Sequence, residues 1–95
     1  MLVIIQARTS SKRFHGKVLK KLNKLPEWVQ KKMSVLVLDL KDKGPEQPGW
    51  QNYSKLSETE YHCHLGTSWV ACWEHNKDSI NIEVYYVGSR EKAPY

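Results

Sequence analysis

Cysteines, long apolar runs and acidic residues near the start are all scarce in this chain of 95 residues. Two cysteines in a reducing compartment do not make a disulfide framework, and the apolar runs are far shorter than the roughly 20 residues that cross a bilayer. With 40% hydrophobic and 26% charged residues, the composition is globular. We expect a single domain over residues 1–95. Because the first apolar run precedes the basic residues, the reverse of a signal peptide, we also expect a cytoplasmic location.

The shortage of acidic residues is confined to residues 1–32. This segment contains nine lysines and arginines and a single acidic residue, Glu27, which gives a net charge of +8. Residues 33–95 contain six basic and nine acidic residues, a net charge of −3. A local basic block favours a polyanionic ligand, nucleic acid before a membrane surface, and a solvated helix face is the alternative. The candidate phosphate contacts in this block are Arg8, Lys12, Arg13, Lys17, Lys20 and Lys21.

The first half of the chain predicts one strand and two helices. Leu2 to Ile5 is a short apolar run typical of a buried strand, and a helix capped by Ser10 or Ser11 follows it. A second helix begins at Pro26 and ends before Gly44. Its apolar stripe is Val29, Met33, Leu36, Val37 and Leu40. The short connection between the helices predicts an antiparallel hairpin.

The second half predicts a loop over residues 44–52 and then three strands, Glu60 to Leu65, Trp69 to Glu74 and Ile80 to Val87. The order β-α-α-β-β-β predicts an α+β fold. A small, mostly antiparallel sheet would pack on an N-terminal helical hairpin.

Strand parity assigns the side chains of this predicted sheet to two faces. A symmetric turn at Gly66-Thr67-Ser68 places one apolar set towards the helices, namely Tyr61, Cys63, Leu65, Trp69, Ala71 and Trp73. The opposite face then carries His62, His64, Val70, Cys72 and Glu74. The two cysteines lie on opposite faces, which argues against an internal disulfide.

His62 and His64 are the most informative pair, since alternate residues of a strand point the same way and lie roughly 7 Å apart. Three interpretations are open. The histidines are part of a solvated sheet face, they are a general acid and base, or they form a zinc site with Cys72. Further along the chain, Arg90 follows a turn-prone Gly-Ser pair and could hold a phosphate, and Tyr95 could stack on a base or share a proton.

Short motifs also occur in the three strands: Tyr61-His62-Cys63-His64-Leu65, Ser68 to Trp73, and Val87-Gly88-Ser89-Arg90-Glu91 followed by Tyr95. With the order of elements, these motifs resemble the RelE/ParE superfamily of toxins from bacterial toxin–antitoxin systems, and RelE-like ribonucleases most closely. The resemblance implies an endoribonuclease that cleaves mRNA on the ribosome by 2′-hydroxyl attack, without metal or another cofactor, and arrests translation.

The resemblance also implies roles for single residues. His62 and His64 would be the acid and base, Arg90 would stabilise the phosphate charge, Tyr95 would assist, and Lys55 would contact the RNA backbone. Val70 departs from the pattern, because an arginine is expected there. The implied partners are mRNA, the ribosome with its rRNA, and an acidic antitoxin in a hetero-oligomer, with no membrane involved. The alternative is a non-catalytic ParE-like toxin or binding module.

A second resemblance concerns the start of the chain. Ile4 to Leu19 is similar to the opening of sugar-nucleotide cytidylyltransferases, in which an arginine and a lysine after the first strand contact nucleotide phosphates. Those enzymes need a doubly wound sheet, which requires a chain about twice as long as this one. We therefore interpret this similarity as a coincidence between two strand-loop-helix openings.

Overall fold

The computed structural model describes residues 2–4, 24–76, 78 and 81–95. Within these ranges there are five strands, β1 (Leu2–Ile4), β2 (Ser54–Lys55), β3 (Glu60–His64), β4 (Trp69–Glu74) and β5 (Asn81–Ser89). The same ranges also contain one α-helix, α1 (Glu27–Lys43), and one 3-10 turn, Arg90–Lys92. The helix predicted after Ser10 or Ser11 lies outside the described residues, so the helical hairpin stays a prediction.

Helix α1 begins and ends where the sequence predicts. Pro26 precedes its first turn, and the Pro26 carbonyl accepts hydrogen bonds from the Val29 and Gln30 amides. Gly44 ends it in the left-handed region, with φ 90° and its N–H donated to the Leu40 carbonyl. Only glycine adopts that backbone conformation without strain. The predicted apolar stripe is confirmed, since Val29, Met33, Leu36 and Leu40 are buried and Val37 is partly buried.

The five strands form one sheet in the order β1-β5-β4-β3-β2. Strand β1 is parallel to β5, and every other pair is antiparallel. The predicted α+β class with a mostly antiparallel sheet is therefore confirmed for the described part of the chain. The parallel pairing of β1 and the two-residue strand β2 were not predicted.

The predicted register of the β3–β4 hairpin is confirmed. Cys63 pairs with Ala71, Tyr61 with Trp73, and the Leu65 amide donates to the Trp69 carbonyl. We call the side of the sheet that carries these residues the helix face, because they share one hydrophobic core with the stripe of α1. We call the other side, which carries His62, His64, Val70 and Cys72, the histidine face.

Aromatic rings fill the centre of the helix face. Trp73 is fully buried, stacks on Tyr61 at 6.1 Å between ring centroids, and donates its indole N–H to the Pro45 carbonyl. Tyr53 stacks on both rings. Trp50, Tyr53 and Trp69 are partly buried against the same core, so these five aromatic side chains serve packing.

No helix among the described residues is both long enough and apolar enough to cross a membrane.

Candidate functional site

Strand β3 places two imidazole rings side by side on the histidine face. The ring centroids of His62 and His64 lie 5.8 Å apart, and the rings are tilted by 60°. In the antiparallel register His62 lies opposite Cys72 and His64 opposite Val70. The pair that alternation predicts is therefore present on a single rigid strand.

A neighbouring polar side chain holds each histidine by its Nδ1 atom. Ser54 Oγ lies 3.0 Å from His62 Nδ1, and Asn52 Nδ2 donates to His64 Nδ1 at 3.3 Å. With Nδ1 accepting from Asn52, the proton of neutral His64 belongs on Nε2. Neither Nε2 atom has a hydrogen bond to a described residue. The two Nε2 atoms are thus the free proton-transfer positions of this part of the structure.

The histidines are buried, and this corrects the interpretation that they lie on a solvated face. Each side chain is only 8% exposed. Burial is the main cause that lowers the pKa of both rings, since it disfavours the charged form. For His62 the neighbouring His64 lowers the pKa further while hydrogen bonding at Ser54 opposes the shift, and for His64 the second cause is the positive charge of Arg90.

The residues after β5 bring Arg90 and Tyr95 to the same pair. The Arg90 amide donates to the Ser68 carbonyl at 2.8 Å, which fixes the start of the 3-10 turn beside the β3–β4 loop. The Tyr95 ring lies 4.6 Å from the His62 ring between centroids and is half exposed. Burial is also the main cause that raises the pKa of the Tyr95 phenol. Tyr95 therefore contacts the histidine pair, and Arg90, whose charge lowers the pKa of His64, begins the turn that leads to Tyr95.

Two other predicted site residues are not part of this cluster. Lys55 pairs with Tyr61 in the sheet and places its Nζ atom 5.5 Å from the Tyr61 ring centre, on the helix face. The predicted phosphate contact at Lys55 is therefore not beside the histidines. The basic residues Arg8, Lys12, Arg13, Lys17, Lys20 and Lys21 lie outside the described residues.

The zinc alternative finds no further support from the sheet. In the described ranges no group of three or more histidine, cysteine, aspartate or glutamate side chains could hold a metal ion. Cys72 is fully buried opposite His62, and burial raises the pKa of its thiol to about 12. A thiol with that pKa is a poor source of the thiolate that zinc binds.

Sequence reasoning missed Asn52 and Ser54, which orient the histidines. Strand β2 has only two residues and therefore shows no alternation that could have revealed it. The available signal was the loop composition at Gln51-Asn52, since asparagine tolerates the left-handed conformation that Asn52 adopts with φ 52°. The Gln51 carbonyl accepts the His64 amide at 2.8 Å, which extends the edge of the sheet beside the histidines.

A family described as cytidylyltransferase matches residues 2–32 of the chain. This region is about a third of the sequence and contains the segment that resembles cytidylyltransferases. No curated protein and no solved structure matches the chain significantly.

This match corrects two predictions. The assignment to RelE/ParE toxins is wrong, and with it the predicted translation-arresting mRNA endoribonuclease and its non-catalytic toxin alternative, because the matching family is a different one. Our interpretation of the cytidylyltransferase resemblance at the start of the chain as a coincidence is likewise not supported. The RNA, ribosome and antitoxin partners were implied by the toxin resemblance and stay predictions that no contact here tests.

Proposed function

We propose that this chain is an enzyme that binds the phosphate groups of a nucleotide at the histidine face and transfers protons there. The observation that carries the proposal is the pair of buried imidazoles, each held at Nδ1 and with Nε2 unbonded among the described residues. Histidines arranged in this way are suited to general acid–base chemistry, which requires a fixed ring and an accessible nitrogen.

Phosphate binding is supported by the electrostatics of the cluster. The positive charge of Arg90 is the second cause that lowers the pKa of His64, and the same charge favours an anion near that ring. A guanidinium is suited to holding phosphate oxygens through two hydrogen bonds. The exposed part of the Tyr95 ring adds a surface on which a base or sugar could lie.

Proton transfer follows from the response of the histidines to an anion. Burial lowers the pKa of both rings and so disfavours their charged form when the site is empty. A bound phosphate favours the protonated ring and raises the histidine pKa, so binding recruits a proton. In attack by a hydroxyl on phosphorus, neutral His62, with its Nδ1–H donated to Ser54 Oγ, takes the hydroxyl proton at Nε2 as the new P–O bond forms. His64, protonated on phosphate binding, gives its Nε2 proton to the leaving oxygen as the old P–O bond breaks.

The choice of a nucleotide as the substrate class is supported by the family match. The name cytidylyltransferase denotes enzymes that transfer a cytidylyl group, and the match covers the basic start of the chain. A local charge of +8 in residues 1–32 suits a polyphosphate. CTP is therefore the first nucleotide to test.

The test is an NMR titration of the full chain with CTP and, separately, with inorganic phosphate. We expect both ligands to shift the imidazole signals of His62 and His64. Arg90→Ala should weaken both affinities at least tenfold, because it removes the charge-assisted hydrogen bonds of the guanidinium to phosphate. Lys92→Ala is the matched control, because Lys92 is an exposed cation of the same 3-10 turn, and it should bind like the parent.

Calorimetry near pH 7 in buffers of different ionisation enthalpy should show proton uptake on CTP binding, and His62→Gln/His64→Gln should remove it. Phosphorus NMR of CTP with glycerol as the hydroxyl acceptor then follows turnover, which the double variant should abolish. If neither CTP nor inorganic phosphate shifts the imidazole signals, the proposed binding site is refuted. Binding without proton uptake or turnover would refute the enzymatic part alone.

A further inference from the structure

A groove of about 420 Å³ lies between α1 and the loop before β2. Its lining includes Lys31, Lys32 and Val35 from the helix and Trp50 and Gln51 from the loop. His64, the last residue of β3, also lines it, so the groove reaches the end of the strand that carries the histidine pair. Its volume lies within the roughly 300–1,000 Å³ of small-molecule sites.

The helix side of the groove is positively charged. Lys31 and Lys32 are exposed, and no carboxylate belongs to the described lining. Glu27 approaches Lys31 at 4.0 Å, but both side chains are more than three-quarters exposed. Such an ion pair is weak in water and leaves the ammonium available to a ligand. The groove therefore favours an anion on its helix side.

The loop side of the groove presents an aromatic ring in a fixed position. The Trp50 indole N–H donates to Asp39 Oδ2 at 2.8 Å, and the ring packs partly against the core. A ring held in this way loses little conformational freedom when a flat ligand stacks on it. Gln51 adds an amide to the same wall, while its carbonyl is bonded to the backbone of His64.

We propose that this groove binds the nucleoside of the nucleotide whose phosphates lie at the histidine face. The base lies against Trp50 and Gln51, and Lys31 and Lys32 neutralise the phosphate chain where it leaves His64. This inference rests on the proposed function for its choice of ligand. It adds a binding site on residues that lie outside the histidine cluster, apart from the shared His64.

The experiment compares CTP, cytidine and inorganic phosphate on the full chain, with the Trp50 indole N–H signal as the reporter. CTP and cytidine should shift this signal, and phosphate should not. The variant Lys31→Gln/Lys32→Gln should bind CTP about tenfold more weakly and bind inorganic phosphate and cytidine like the parent. Lys41→Gln/Lys43→Gln removes the same charge from the last turn of α1 and is the control. It should leave all three affinities unchanged.

The outcomes separate the two proposals. If CTP leaves the Trp50 signal unmoved, the groove does not bind the nucleoside, even where phosphate still shifts His62 and His64. If CTP binds the Lys31→Gln/Lys32→Gln variant as tightly as the parent, the phosphate chain does not pass the helix side of the groove, and the inference is overturned. If CTP shifts Trp50 while phosphate leaves both histidines unmoved, the groove inference is supported and the histidine-face function is refuted. Equal weakening by the control variant would show non-specific charge attraction and would overturn the groove inference.

Discussion

The two faces of the sheet are both buried, yet they are built from different chemistry. The helix face packs Tyr61 and Trp73 against the apolar stripe of α1. The histidine face buries two imidazoles, and its polar contacts come from a two-residue strand and the residues after β5. Burial of the first set gains hydrophobic free energy, whereas burial of the second set lowers histidine pKa values. One face therefore stabilises the fold, and the other carries the residues of the proposed site.

The largest expected effect comes from removing the central ring of the helix face. Trp73→Ala deletes a fully buried side chain, its stacking on Tyr61 and its hydrogen bond to Pro45. We expect the free energy of unfolding to fall by about 3–5 kcal/mol, measured by urea denaturation. His62→Ala on the other face should cost less than half as much. Equal losses of unfolding free energy in the two variants would contradict the conclusion that the helix face contributes more to stability than the histidine face.

A smaller loss is expected where the helix meets the β3–β4 turn. A Cβ atom at Gly66 would lie 2.6 Å from the Trp28 ring, so Gly66→Ala forces that half-exposed ring to move. We expect a loss of about 1–2 kcal/mol, within the range for overpacking. The same substitution in a Trp28→Ala background should cost clearly less, because the contacting ring is gone. Urea denaturation of the four proteins gives the coupling, and additive losses would place the cause in the turn backbone.

The histidine face should make stability depend on pH. The unfolded chain has ordinary histidines with pKa near 6.5, and the folded pKa of His62 and His64 is lower. Below 6.5 the unfolded state binds more protons, so stability is full above that pH and falls as the pH drops through the folded values. Each unit of pKa depression corresponds to about 1.4 kcal/mol.

Urea denaturation between pH 8 and pH 5 tests this dependence. His62→Gln/His64→Gln should flatten the curve over that window, whereas Lys92→Ala should keep the slope of the parent. A slope unchanged in the double histidine variant would assign the pH dependence to other groups.

How far the sequence predicted this arrangement depends on the length of each element. Helix α1 and the β3–β4 hairpin have enough residues for periodicity and parity to fix their buried sides, so the position of Trp73 and the pairing of the histidines were predictable. The burial of His62 and His64 was not predictable. Asn52, Ser54 and Tyr95, which contact them, lie too far away in the sequence for a local residue pattern to indicate the contacts. The assignment to RelE/ParE toxins was wrong for a related reason. It rested on three short strand motifs, which carry less information than a matched family region.

The smallest effect tests whether the histidine face is electrostatically coupled to the residues after β5. Removing the positive charge in Arg90→Ala should raise the pKa of His64, because that charge is the second cause of its depression after burial. The pKa of His62 should change less, since burial, Ser54 and His64 set it. NMR titration of the two imidazoles measures both pKa values.

Two controls test whether the charge of Arg90 causes the shift. Added salt should shrink the difference in His64 pKa between the parent and Arg90→Ala, because it screens the exposed guanidinium, and Lys92→Ala should leave the pKa of His64 unchanged. If His64 titrates identically in the parent and in Arg90→Ala, burial alone depresses its pKa and Arg90 is too distant to share a phosphate with it.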